Sequence, residues 1–109
     1  MRASPNSTAV FAALGDKTRL RLVSRLCAHG PMSITGLTAG SKVTRQAITK
    51  HLIVMEKAGL VHGTRHGRET RWQLEQRRLR EAGRQLELIS AQWDKALGRL
   101  KSFVEVDKI

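Results

Sequence analysis

Apolar residues return at three different spacings along this 109-residue chain, and each spacing predicts a different element. Between residues 7 and 58 they recur every three or four positions, the period of helices with one buried face. Ser7 or Thr8 can cap a short first helix holding Val10, Phe11 and Leu14, closed at Gly15. Asp16 caps a second helix, with Leu20, Leu22, Val23, Leu26 and Cys27 expected on or near its buried side, ended by Gly30-Pro31. Ser33 starts a third, short helix with Ile34 and Leu37, and Gly40-Ser41 ends it. Thr44 then caps a fourth. On a wheel of about 100° per residue, Ala47, Ile48, Leu52, Met55 and Ala58 share one arc of that helix. Gln46, Thr49, Lys50, Ile53 and Lys57 lie opposite. Gly59 suits a left-handed C-cap, with Leu60 returning to the last turn.

From Val61 the pattern changes. Residues 61–65 and 70–74 predict two short strands around the turn 66–69, a β-hairpin with Trp72 and Leu74 facing the core. From Gln76 to Val104 the spacing becomes seven: Leu79, Leu86, Trp93 and Leu100 form one row, and Ala82, Ile89, Ala96 and Phe103 the other. Together they make an a/d heptad stripe. A helix of that length is about 40 Å long, more than a small domain can cover. The surplus predicts pairing with a second copy of the chain. Docking of the helix on its own domain is the alternative, and the two are compatible because the ends can pack inward while the middle pairs. The expected fold is mainly α (α+β), with about five helices and one hairpin. Residues 1–6 and 105–109 are expected as tails, 7–76 as the body, and 77–104 as a long helix of the same domain.

Charge adds a partner to this picture. Lys and Arg number 20 against 9 acids, a net charge of +11 and a pI near 11.3. The excess is clustered: no acid occurs between Asp16 and Glu56, where Lys17, Arg19, Arg21, Arg25, Lys42, Arg45 and Lys50 all fall. A polyanion is the economical partner. On the polar face of the fourth helix, Gln46 can bond adenine in a bidentate way, and Arg45 and Lys50 can reach guanine or phosphate. Ser41, Lys42, Thr44 and Thr49 are placed for the DNA backbone. Arg65, His66, Arg68 and Arg71 crowd the hairpin tip, which suits a minor groove or a phosphate ridge. Ile53 is the misfit on the polar face; it either touches a thymine methyl or is a tolerated exposed isoleucine.

Other chemistries find little support. No nucleophile elbow, P-loop or HExxH motif occurs, so no catalytic residue and no cofactor are expected. The single cysteine, Cys27, excludes an intrachain disulfide and is expected to be a small buried hydrophobe. The histidines at 29, 51, 62 and 66 lack ligand spacing, and no metal site is expected. His51 lies inside the apolar arc, where packing or capping is the expected role. The N-terminus lacks the apolar stretch of a signal peptide, and no run is long enough for a bilayer, so a cytoplasmic protein without membrane contact is expected. A basic architectural DNA- or RNA-binding protein is the alternative. RNA modules usually stack bases on aromatic platforms, and this chain has two Trp, two Phe and no Tyr.

Helix, helix, short helix, turn, reading helix, hairpin and long helix describe a winged helix-turn-helix. Within that frame, Phe11-Ala-Ala-Leu-Gly-Asp-Lys-Thr-Arg-Leu-Arg-Leu-Val23 resembles the opening of the ArsR/SmtB family of bacterial regulators. Gly30-Pro-Met-Ser-Ile-Thr-Gly-Leu37, Val43-Thr-Arg-Gln-Ala-Ile-Thr-Lys-His-Leu52 and Ala58-Gly-Leu-Val61 continue the match, and Gly67 and Trp72 fit the family's wing. The resemblance spans residues 8–104. It implies a homodimeric transcriptional repressor that binds an inverted-repeat (palindromic) operator in double-stranded DNA and often controls its own operon. Its terminal helices would form the interface, here through Phe11, Leu79, Ala82, Leu86, Ile89, Trp93, Ala96, Leu100 and Phe103. Metal-sensing members carry cysteines in the third helix or Asp/His sets in the last; residues 34–40 hold no thiol here, and the final helix has no histidine or cysteine. The chain resembles a metal-independent branch, in which the sequence does not reveal an inducer.

Overall fold

In the computed structural model, which describes residues 5–107, helix α1 (Pro5–Leu14) begins ahead of Ser7 and Thr8, so neither is its cap. Proline suits a first helical turn because its missing N–H would have no helical partner there. Of the predicted tails, residues 1–4 and 108–109 lie outside the described residues. Asp16 caps α2 (Lys17–His29), its carboxylate accepting the Arg19 N–H at 3.0 Å. Leu22, Val23 and Leu26 are buried, but Leu20 is 51% exposed and Cys27 is exposed. That corrects the expectation for both residues. At about 100° per residue, each lies more than a quarter-turn from the centre of the Leu22–Leu26 stripe.

A two-residue strand, β1 (Met32–Ser33), precedes α3 (Ile34–Thr38), and the Ser33 hydroxyl accepts the Gly36 N–H at 3.1 Å. Thr44 caps α4 (Arg45–Lys57) by accepting the Ala47 N–H at 3.1 Å. Gly59, at φ +77°, reverses the chain. Its N–H bonds Glu56 at 3.0 Å, and the Leu60 N–H bonds Met55 at 2.9 Å. This is a Schellman closure, with Met55 and Leu60 both fully buried as its apolar contact.

Strands β2 (Val61–His66) and β3 (Glu69–Leu74) pair antiparallel from Val61↔Leu74 to His66↔Glu69, around the turn Gly67-Arg68. β1 joins the far edge of β3 through Met32↔Trp72 and Ser33↔Arg71, so the hairpin belongs to a three-stranded sheet ordered β1-β3-β2. Ser33 therefore ends a strand and caps a helix at once, which fastens the wing to α3. Gly63 sits opposite Trp72; a Cβ there would lie 2.9 Å from Thr70 Cγ2 and 3.4 Å from the indole ring. Absence of a side chain at 63 lets the buried indole lie across the strand.

Val10, Ala13, Leu22, Val23, Leu26, Leu37, Ile48, Leu52, Met55, Leu60, Val61, Trp72 and Ala82 form the core. Helix α5 (Gln76–Asp107) has 32 residues, three more than the pattern predicted at its C-terminal end. At about 1.5 Å per residue it runs for about 48 Å. Only its first turns close the core, through Ala82 and the half-buried Leu79. The rest projects, giving the protein extents of 72 × 28 × 20 Å.

Candidate nucleic-acid interface

Helix α4 meets the core with Ile48, Leu52 and Met55, each at most 1% exposed. Their burial turns Arg45, Gln46 and Lys50 outward, and all three are exposed. Ile53 is 42% exposed on the same face. The hydroxyls beside them differ in what they can offer. Thr49 donates its proton to the Arg45 carbonyl at 2.9 Å, which leaves it acceptor capacity only. Thr44 and Ser41 accept backbone N–H groups, the latter from Val43 at 3.0 Å, so their protons remain available to an anion. Lys42 is exposed in the turn between α3 and α4.

Arg45 leans toward the wing side. Its Nη1 donates to Thr35 Oγ1 at 3.3 Å. Thr35, Arg45 and Arg68 line one groove of about 440 Å³, so guanidinium groups from α4 and the hairpin turn converge on the same space. Glu69 and Thr70 also line it. Arg65 donates from Nε to the Gly67 carbonyl at 3.1 Å, stiffening the tip. His66, Arg68 and Arg71 are exposed.

The other side of α4 carries a polar junction that the sequence did not reveal. The Arg19 guanidinium donates from Nε to the Ala13 carbonyl at 2.7 Å and lies 3.3 Å from His51 Nδ1. Arginine offers only donors, so Nδ1 is the acceptor. Asp16 Oδ2 stands 3.9 Å from the same nitrogen. One guanidinium thus joins the end of α1 to the back of α4. The N–H of Arg19 bonded to the Asp16 carboxylate outweighs desolvation and, with the nearby Arg19 and His51 side chains, holds its pKa below the ordinary 3.8. Arg25 also acts locally, donating to the Leu37 carbonyl at 2.7 Å and the Gly36 carbonyl at 3.0 Å. It satisfies the carbonyls at the end of α3 and so sets where the turn before α4 begins. Both arginines stood in the acid-free run; nothing in the pattern separated these structural donors from the free cations around them.

Beyond the body, α5 leaves Leu86, Ile89, Trp93, Leu100 and Phe103 between 50% and 67% exposed. Ala82 is buried at 2%, and Leu79 and Phe11 pack partly on the same core. The free stripe therefore starts at Leu86, with Ala96 half-buried along it.

A helix-turn-helix domain model matches residues 14–64. YuzN of Bacillus subtilis, an uncharacterized HTH-type transcriptional regulator, is 41% identical over 69 residues, covering 58% of this chain and 75% of its own length. An ArsR-like transcriptional regulator from Rhodococcus sp. RHA1 superposes with a TM-score of 0.74 at 37% identity, over 90% of this chain and 92% of that one. The chain belongs to the ArsR-like family of helix-turn-helix transcriptional regulators. The homodimeric winged helix-turn-helix DNA-binding domain Mb0332 of Mycobacterium bovis shares the fold at a TM-score of 0.61 and 20% identity, over 84% of this chain and 82% of that one.

As an ArsR-like protein, the chain is a DNA-binding transcriptional regulator. Among the described residues, no three His, Cys, Asp or Glu side chains come together as a metal-binding group. His62 Nδ1 instead meets the Glu75 carboxylate at the junction of β3 and α5. No helix of the described residues is long and apolar enough to cross a membrane.

Proposed function

We propose that the protein is a homodimeric, metal-independent transcriptional repressor of an inverted-repeat operator. The observation that carries this is the pairing of two uncovered faces: the polar face of α4 and the apolar stripe of α5 from Leu86 to Phe103. A lone chain leaves the apolar stripe open to water and gives the polar face no ligand. A two-fold axis through α5 buries the stripe and presents two α4 helices together. The homodimeric Mb0332 fold supports the same arrangement.

In this reading each α4 enters a major groove, N-terminal end first. Gln46 reads adenine, Arg45 and Lys50 take guanine or phosphate, and Lys42, Ser41 and Thr44 hold the backbone. Thr49 serves as an acceptor, since its proton is already bonded. Arg68 and Arg71, with Arg65 and His66 at the tip, take the flanking minor groove or its phosphates. Metal independence is supported by the lack of thiols in residues 34–40 and of His or Cys along α5. Repression follows from a dimer occupying promoter DNA, and an operator ahead of the protein's own gene makes it autoregulatory.

Selection of bound fragments from random duplex DNA, followed by footprinting and sedimentation, tests this. Expected are a discrete palindrome with half-site centres about 10 base pairs or a small multiple apart, and a particle twice the 12.2 kDa chain mass. Even coating of DNA without a discrete site replaces the regulator model with an architectural one. A reporter on the selected operator should rise when the gene is deleted; a fall makes the protein an activator.

A further inference from the structure

We propose that Lys17, Arg21 and Lys42 form a separate phosphate-binding site for duplex DNA, gripping the backbone ridge on the side of α4 away from the wing. The site rests on the DNA-binding reading above, which already gives Lys42 to the backbone, and adds to it Lys17 and Arg21 of α2 as a second contact surface. Lys17, Arg21 and Lys42 line one concavity, together with Gly40. A second concavity, lined by Arg21, Gly40 and Ser41, continues it along the turn toward α4.

The position follows from the two sides of α4. Arg45 faces Thr35 and the Arg68 groove, while His51, about 120° around the helix, faces Arg19 and Asp16 at the start of α2. The wing and the start of α2 therefore flank the reading helix on opposite sides. A major groove is bounded by two phosphate ridges. With α4 inserted, the wing meets one ridge and the Lys17–Arg21–Lys42 concavity meets the other.

The charges themselves point to an absent anion. Lys17 occupies the first turn of α2, where a cation opposes the helix dipole. Arg21 lies four residues on, and like charges at that spacing repel along one helix face. None of the three side chains has an ion pair or hydrogen bond among the described residues. Asp16, the nearest acid in sequence, is committed to the Arg19 N–H and faces His51. Arg25 lines the neighbouring concavity but spends its guanidinium on α3 carbonyls. Two placements that cost the isolated protein stability, Lys17 and Arg21, gathered with Lys42 around one hollow beside the reading helix, are accounted for by a phosphodiester backbone.

The test compares two triple variants of the full chain on a duplex selected from random DNA by the wild type. One carries Lys17→Gln, Arg21→Gln and Lys42→Gln. The other removes equal charge from the face of α5 away from its stripe, by Arg84→Gln, Lys95→Gln and Lys101→Gln. With about 0.9 counterions released per phosphate contact, the first variant should bind with a log–log salt slope shallower by about two to three. Its base preference should be unchanged, and its melting temperature should equal or exceed that of the wild type. The α5 variant should keep the wild-type slope. Equal slopes for the two triple variants would overturn the site while leaving the regulator model intact. A fall in melting temperature parallel to the loss of affinity would also overturn it, by making the three residues structural. Failure of the wild type to select any discrete sequence would strike the regulator model instead, and the slope comparison on an arbitrary duplex would still decide the phosphate site.

Discussion

Helices α4 and α5 are both amphipathic, yet the protein covers opposite faces of them. The apolar side of α4 is sealed by its own chain, with Leu52 and Met55 fully buried, and the polar side is left for a ligand. The apolar side of α5 is left open, with Trp93 at 64% and Phe103 at 67% exposure. An exposed polar helix face needs nothing but water. An exposed apolar stripe running from Leu86 to Phe103 is the kind of surface that marks a protein interface. In the proposed reading the contrast separates two ligands: nucleic acid for α4, a second chain for α5.

Cutting the same side chain from each stripe should sharpen that contrast most. Leu52→Ala should lower the unfolding free energy by about 2–5 kcal/mol, because the closed core cannot collapse onto the void. Leu100→Ala should change the unfolding of the dilute protomer by less than about 0.5 kcal/mol, since Leu100 is 60% exposed. Denaturant titrations of both variants decide this; a large loss for Leu100→Ala would show that α5 folds back on its own domain. Next in size, Trp93→Glu places a charge in the middle of the open stripe and should weaken association by about 2 kcal/mol or more, as truncating a central aromatic anchor does. Sedimentation equilibrium reads the change. A variant that remains dimeric at wild-type concentrations moves the interface away from the heptad stripe.

The helices were legible in the sequence because their signals are local. Thr44, Gly59 and the apolar arc between them mark α4 at both ends, and the cap and closure are made by those residues in space. The heptad rows likewise predict α5. The failures have physical reasons. β1 spans only two residues, too short for a period of two to register, and its existence depends on pairing with β3, forty residues away. Cys27 and Leu20 are apolar but off the buried stripe, so residue type misled where the helix wheel did not. A heptad position also does not say which chain will cover it. Ala82 and Leu86 belong to the same pattern, yet the first is buried by α1 and the body while the second is open. The positions of Gln46 and Lys50 on an exposed surface follow from the same wheel, and those of the wing arginines from the hairpin turn, whereas their division of labour on DNA depends on contacts that only a complex makes.

On the α4 side of the comparison, Gln46→Ala should cost about 1–3 kcal/mol at a single base position and relax preference there, leaving other positions and the dimer untouched. Binding to a panel of single-base operator variants measures it. Equal weakening on every duplex would reassign Gln46 from base reading to backbone contact and shift the reading role to Arg45 or Lys50.

The smallest expected effect comes from the junction behind α4. Asp16 is held below its ordinary pKa of 3.8 chiefly by the Arg19 N–H it accepts as the cap of α2. A carboxylate with a depressed folded-state pKa stabilises the protein above its unfolded value, and that stabilisation is lost as pH falls through the folded one. Asn caps a helix about as well as Asp, so Asp16→Asn removes the titration while keeping the cap. It also removes the anion beside His51 and Arg19. The variant should therefore melt slightly below the wild type at neutral pH, and the gap should close as pH is taken below 3.8. The complementary change, Leu100→Ala, lies far from this junction and should show no such pH-dependent gap in the dilute protomer. A gap for Asp16→Asn that stays constant across the acid range would mean that the carboxylate's charge contributes nothing at the junction, leaving only its oxygen as a cap.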